Sequence, residues 1–149
     1  MKIAVLLSGG VDSSVALHLL AQQGHELTAF YLKIWLEEEL SFMGDCPWEA
    51  DLLFARQVCE QLDVALEIVS LQQEYLERVV NHALDELRAG RTPSPDIFCN
   101  QRIKFGAFID LLDPTLNTTA SGHYARLEEL NGSPVLKCGI DPIKDQTYF

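Results

Sequence analysis

No stretch of the 149 residues approaches eighteen consecutive apolar side chains, so the sequence offers no helix able to span a bilayer, and no membrane partner is expected. Basic residues are scarce. Lys and Arg number 11 against 22 Asp and Glu, a formal net charge of −11, and a chain this acidic does not hold polyanions by bulk charge. The four cysteines and four histidines contain no C-x-x-C pair and no histidine cluster, which argues against a zinc site. Wide cysteine spacing without a secretory signal argues equally against a disulfide scaffold. The opening run Met1–Leu7 is too brief for a signal peptide and leads into a helix rather than a cleavage site. Internal repeats and low-complexity segments are absent, and so is the Gly-Lys-Ser/Thr ending of a Walker loop, which removes the main support for a kinase or GTPase. A soluble, reduced, cytoplasmic domain is expected, with an organellar compartment left open. Its 48% hydrophobic and 22% charged composition suffices for a folded core.

The charge is unevenly spread. Residues 26–86 carry 14 acids and 3 bases, whereas residues 87–149 carry 7 of each. Arg88, Arg91, Arg102 and Lys104 fall close together, so one locally basic surface beside an acidic back is an expectation.

Strands alternate with helices along the chain. The apolar run 2–7 reads as a strand buried on both faces. A helix follows from near Ser13, with Val15, Leu19 and Leu20 on one face, until Gly24 stops it. Residues 26–32 form a second strand and 33–47 an exposed loop. A helix over 48–62 places Ala50, Phe54 and Val58 on one stripe, with Trp48 in the core. A strand at 64–70 and a helix at 72–89 come next. Two prolines make 90–96 a rigid, non-helical loop. A helix at 100–112 turns Ile103, Phe108 and Leu112 inward, and a weak strand occupies 117–122. Asn131-Gly132 then joins 123–130 to 134–140 as a hairpin. The pattern predicts an α/β fold: an open, mostly parallel, Rossmann-like sheet covered by helices on both faces, with a β-hairpin near the end.

The strongest local signal is Ser8-Gly9-Gly10-Val11-Asp12-Ser13-Ser14, between the first strand and the first helix. Two glycines let backbone N–H groups approach an anion, the helix N-terminus adds partial positive charge, and the serines add donors. Such a loop suits phosphate. Asp12 would repel phosphate unless a cation or donor intervenes, so it is assigned to Mg²⁺ or to loop geometry. The plain alternative is a helix cap with a tight turn.

Cys99 falls just before the expected 100–112 helix, where orphan N–H groups with Arg102 and Lys104 favour thiolate. Asp96, on the stiffened loop, is a candidate general acid or base. The alternative for Cys99 is a small buried hydrophobe. Cys59 reads as core, and His18, His25 and His82 as surface; Cys46, in the exposed loop, has no assignment.

SGGVDSS after a first strand resembles the pyrophosphate loop (PP-loop) of N-type ATP pyrophosphatases. Further segments narrow the likeness. Gly90-Arg91-Thr92-Pro93-Ser94-Pro95-Asp96-Ile97-Phe98-Cys99-Asn100 with Ile103-Lys104-Phe105 is similar to the cysteine-bearing segment of tRNA-specific 2-thiouridylases. Ser121-Gly122-His123-Tyr124-Ala125-Arg126 resembles their glycine–histidine turn. Asp141 with Lys144-Asp145-Gln146-Thr147-Tyr148-Phe149 resembles their tRNA-contacting segment, and Phe30-Tyr31-Leu32-Lys33-Ile34-Trp35 the strand end that meets adenine. The segments fall in family order over essentially the whole chain.

The resemblance implies 2-thiolation of the wobble uridine: ATP adenylates the C2 oxygen, and a persulfide sulfur then displaces AMP. It implies ATP contacts at Leu6, Leu7, Ser8, Gly9, Gly10, Val11, Asp12, Ser13, Leu32 and Gly122. It implies tRNA contacts at Ser94, Pro95, Asp96, His123, Lys144, Asp145 and Gln146. Cys99 is matched to the first catalytic cysteine, which can form a disulfide with a second, and Asp96 to a catalytic acid or base. The expected partners are tRNA and a persulfide sulfur-donor protein, with ATP and Mg²⁺ as cofactors. The second cysteine and the tRNA-gripping domains lie downstream of Phe149 in the family, and Cys138 does not match that cysteine. The chain therefore reads as an N-terminal ATP-binding PP-loop domain over 1–149, expected to bind ATP without completing thiolation. Ser94 stands where the family has Asn, and 113–120 is more polar than the family's strand. An amidating PP-loop synthetase and a non-catalytic ATP-binding module are the rival readings.

Overall fold

The N-terminal apolar run becomes β1 (Lys2–Leu6), in which every residue from Ile3 to Leu6 is buried. The computed structural model describes residues 1–34, 47–116, 118–141 and 143–147. In it β1 is the centre of a four-stranded sheet. β2 (Glu26–Lys33) lies on one side and β4 (Thr118–Ala120) on the other, with β3 (Ala65–Ser70) beyond β2. All three pairings are parallel, as the strand–helix alternation requires. The order β3-β2-β1-β4 reverses between β1 and β4, and the carboxyl end of such a switch point is where open α/β sheets form a crevice.

Helices cover both faces. On one face lie α1 (Val11–Gln22) and α2 (Pro47–Leu62), where Leu17, Ala55 and Cys59 pack on Ile3, Val5, Leu7, Ala29 and Tyr31. On the other lie α3, in consecutive segments Gln72–Tyr75, Leu76–Val80 and Asn81–Arg88, and α4, in segments Pro95–Phe98, Cys99–Ala107 and Phe108–Leu111. The middle segment of each is π-helical. Val79, Cys99, Ile103, Ala107 and Phe108 pack there on Ala4, Leu6 and Phe30, and the Phe30 and Phe108 rings meet edge-on at 5.1 Å. The alternation of β1 and β2 side chains between the two clusters is the two-residue period of a strand buried on both faces.

Several expectations change. On α1, Leu17 is buried while Val15 and Leu19 are 49% and 51% exposed. That helix is apolar nearly all round, so periodicity alone does not choose its face. On α2 the buried pair is Ala55 and Cys59, one position on from the expected stripe, and Phe54 is exposed. Trp48 is half-buried, its ring beneath the Lys33 ammonium. His82 is half-buried against Phe98, with ring centroids 4.4 Å apart, rather than on the surface. The largest change is at α4, which begins at Pro95 instead of residue 100. Proline at the first helical position lacks only an N–H that would be orphaned anyway, so here it starts a helix.

The hairpin forms as expected. β5 (Arg126–Leu130) and β6 (Ser133–Lys137) pair antiparallel, and Asn131 and Gly132 both have positive φ, 53° and 78°, as a tight primed turn requires. Residues 123–125 are not strand, because Ser121–Tyr124 instead turn over the start of α1. β4 is short and at the sheet edge, in keeping with its polar sequence. Cys46, Trp35 and most of the expected 33–47 loop lie outside the described residues.

Candidate functional site

The crevice at the switch point is built from the ends of β1 and β4. Beyond β1 the chain turns at Gly9, whose φ of +81° suits glycine and whose Cα faces α2 so closely that a Cβ would lie 2.2 Å from the Asp51 carbonyl oxygen. Gly10 is extended and caps α1 without a side-chain cap, so the first N–H groups of the helix meet no capping side chain. The hydroxyls of Ser13 and Ser14 both donate to the Gly10 carbonyl, at 3.0 and 2.9 Å, and Ser13 Oγ accepts the Ser8 N–H at 3.2 Å. The two serines therefore brace the loop, and its anion-binding capacity rests on backbone N–H groups and the helix dipole.

The turn after β4 closes the other side. Gly122 packs on α1 so tightly that a Cβ would fall 2.6 Å from the Ser13 nitrogen. Ser121 Oγ lies 2.5 Å from His123 Nδ1. Burial holds His123 below the usual imidazole range, and the nearby Lys104 charge adds to this, so the ring favours its neutral form. Tyr124 donates its hydroxyl to Asp12 Oδ1 at 2.9 Å, and the Lys144 ammonium donates to Asp12 Oδ2 at 2.8 Å. Lys144 first, then Tyr124, holds the Asp12 carboxyl below its ordinary range. Gln146 accepts the Tyr124 N–H through Oε1 at 3.0 Å, tying the segment 143–147 to the turn.

Between these walls lies a cavity of about 390 Å³, a size that takes a small-molecule ligand. It is lined by apolar Leu6, Phe30, Leu32 and Ile34, by Ser8 and residues 10–13 of the loop, and by Cys99, Ile103 and Lys104 of α4 with His123. Of the residues matched to ATP, Leu6, Leu7, Ser8, Gly10, Val11, Asp12, Ser13, Leu32 and Gly122 line the cavity, while Gly9 stands behind the loop against α2. Of those matched to tRNA, His123 and Gln146 line it, and Lys144 sits on Asp12. Ser94, Pro95 and Asp96 are exposed at the start of α4, and Asp145 accepts the Thr147 N–H and hydroxyl at 3.0 and 2.6 Å.

Cys99 departs from expectation. It lies inside α4, 8% exposed, and burial pushes its thiol up; Lys104 opposes this and Asp96 adds to it. Arg102 does not help, because its guanidinium donates to the Arg78 carbonyl at 2.8 Å and stacks over Phe98. Arg88 pairs with Asp85 and Arg91 with Glu86, so these members of the expected basic surface are already matched by acids. Among the described residues no three His, Cys, Asp or Glu side chains are grouped to hold a metal, and both Asp12 oxygens are engaged. The site also contains residues without a local sequence signal: Tyr124 reaches Asp12 across 112 positions, and Asp51 approaches through its backbone.

Known proteins carry a related sequence along this whole span. The chain is 45% identical over 149 residues to a Bacteroides fragilis protein named tRNA-specific 2-thiouridylase MnmA 2, covering all of this chain and 42% of that relative. It is 47% identical to the Ruthia magnifica protein named tRNA-specific 2-thiouridylase MnmA, covering 99% of this chain and 40% of the relative. The chain thus spans about two fifths of the length of these relatives. A solved Methanocaldococcus jannaschii structure, described as a predicted subunit of tRNA methyltransferase, superimposes with a TM-score of 0.56 at 18% identity, over 83% of this chain and 53% of that one. At that identity the likeness supports the fold alone. The family model described as the tRNA methyl transferase HUP domain matches residues 1–149, and to that family the chain belongs.

Proposed function

We propose that this chain forms the ATP site at which the C2 oxygen of a tRNA uridine is activated for replacement by sulfur. One observation carries the reading: a single cavity is lined both by the glycine loop before α1 and by Cys99, Lys104 and His123. ATP bound there would supply AMP to the C2 oxygen with loss of pyrophosphate, turning that oxygen into a leaving group. The α1 N-terminus and loop N–H groups hold the phosphates. Leu6, Phe30, Leu32 and Ile34 give the adenine an apolar surface. Mg²⁺ accompanying the nucleotide would offset its phosphate charge, and Asp12, which bonds Tyr124 and Lys144, lines the same cavity as a carboxylate able to hold it.

His123, favoured neutral, paired with Ser121 and lining the cavity, would hydrogen-bond the uridine. Gln146 and the exposed Ser94, Pro95 and Asp96 at the start of α4 extend the RNA contact, with Lys144 and Asp145 on the neighbouring segment. Asp96 stands one helical turn before Cys99, close enough to influence its charge, and serves as the base that draws off the thiol proton. A donor protein would first pass its terminal sulfur to a second cysteine, on the part of the relatives' length that this chain does not span. The Cys99 thiolate would then attack the inner sulfur of that persulfide, forming a disulfide with the second cysteine and releasing hydrosulfide, which attacks C2 and expels AMP.

The family description mentions methyl transfer, whereas the relatives are named thiouridylases. The loop favours the second chemistry. A helix N-terminus with unpaired N–H groups attracts phosphate and repels the sulfonium cation of a methyl donor. An amidating synthetase has no use for a cysteine on the cavity wall. The test is pyrophosphate release from ATP, together with sulfur incorporation from a persulfide donor, with and without unmodified tRNA, comparing the wild type with Cys99→Ala in the chain's full natural length. Release that needs tRNA, with sulfur incorporation lost in Cys99→Ala, supports the proposal; release driven by a carboxylate or purine acceptor overturns it.

A further inference from the structure

We propose that Lys144 is a phosphate-binding residue of the nucleotide site, held at the mouth of the α1 loop by Asp12 and Tyr124. The inference rests on the ATP reading above and assigns Lys144 a role that tRNA contact alone does not require. Two contacts hold the ammonium, and a third holds its carboxylate partner. The ammonium donates to Asp12 Oδ2 at 2.8 Å, it lies 4.2 Å from the centre of the Tyr124 ring, and that ring's hydroxyl occupies Asp12 Oδ1 at 2.9 Å. Asp12 is in the first turn of α1, beside the loop N–H groups, and lines the cavity.

A bare carboxylate at that point would repel a polyphosphate. Paired with Lys144, it becomes instead the tether for a cation. An ammonium has three donors and Asp12 takes one, so donors remain for phosphate oxygens, and a compact charge suits that role. Tyr124 is then a positioning residue: it fixes the carboxylate that fixes the lysine. The arrangement places positive charge beside the first turn of α1.

The test measures binding of inorganic pyrophosphate and of adenosine, separately and without RNA, by calorimetry on the full chain. Lys144→Gln should weaken pyrophosphate binding by about tenfold or more while leaving adenosine within about twofold. Lys144→Arg should recover part of the loss, and Tyr124→Phe should show a smaller loss in the same direction. Lys137→Gln, on the hairpin and paired with Glu128, serves as the control and should leave both affinities unchanged. Unaltered pyrophosphate binding in Lys144→Gln, with the wild type binding both ligands, overturns this assignment and leaves the ATP reading intact. A wild type that binds neither ligand overturns both. An equal loss of adenosine and pyrophosphate binding in Lys144→Gln would mean the residue merely holds the site together, and also overturns the assignment.

Discussion

Lys144 Nζ lies 2.8 Å from Asp12 Oδ2, closing a contact between residues 132 positions apart and fastening the segment 143–147 to the first turn of α1. Its pH dependence follows from the two shifts. Asp12 is held below its ordinary value, chiefly by Lys144, so its contribution is present above about pH 3.9 and is lost as pH falls through its folded value. Lys144 is held above its ordinary value, chiefly by Asp12, so its contribution is present below about pH 10.4 and is lost as pH rises through its folded value. The fastening is therefore complete across the neutral range and opens at both extremes. Carbon NMR titration of the Asp12 carboxyl should give a midpoint below that of a free aspartate, moving up in Lys144→Gln; an unmoved midpoint would contradict the contact.

Cys99 should be a slow nucleophile in the free protein. Its alkylation rate should rise with pH to a midpoint above that of an ordinary thiol, and exposed Cys138 should react before it. Lys104→Met should move the Cys99 midpoint further up and Asp96→Asn should move it down, since those two charges act in opposite directions. Peptide mapping of the alkylated protein across pH reads all three shifts.

Gly122→Ala should damage both folding and the site. The added Cβ would meet backbone atoms of Asp12 and Ser13 at 2.6 to 2.8 Å, and no side-chain movement relieves that. A loss of about 1–3 kcal/mol in urea denaturation is expected, with weaker nucleotide binding.

The core assignment separates residues that look alike in the sequence. Leu17→Ala should cost about 2–5 kcal/mol, whereas Leu19→Ala, on the exposed face of the same helix, should stay within about 0.5 kcal/mol. Phe108→Ala, which removes a 1% exposed ring packed edge-on against Phe30, should cost about 3–5 kcal/mol. Equal losses at Leu17 and Leu19 in chemical denaturation would contradict the packing.

The parallel sheet, the glycine turn between β1 and α1, and the hairpin were legible because each depends on near neighbours: an unbroken apolar run, paired glycines, an Asn-Gly turn. What escaped depends on distant ones. Nothing near Val15, Leu17 and Leu19 tells which faces the sheet, since the choice is made by β1 and α2. Pro95 reads locally as a breaker, yet with Ser94 held outside the helical region before it, it opens α4 and puts Asp96 and Cys99 on one helix. The expected thiolate failed because Arg102 is drawn away to a carbonyl on α3, leaving burial to dominate. The engagement of Asp12 by Tyr124 and Lys144 joins segments more than a hundred residues apart, beyond the reach of any local pattern.

The most direct test of the adenylation proposal is an isotope transfer. A substrate tRNA carrying ¹⁸O at the C2 oxygen of the target uridine is thiolated with ATP and a persulfide donor, using the chain in its full natural length, and the AMP is analysed by mass spectrometry. The account predicts one ¹⁸O atom in each AMP released. Unlabelled AMP, with the ¹⁸O retained in the RNA or lost to water, would contradict it.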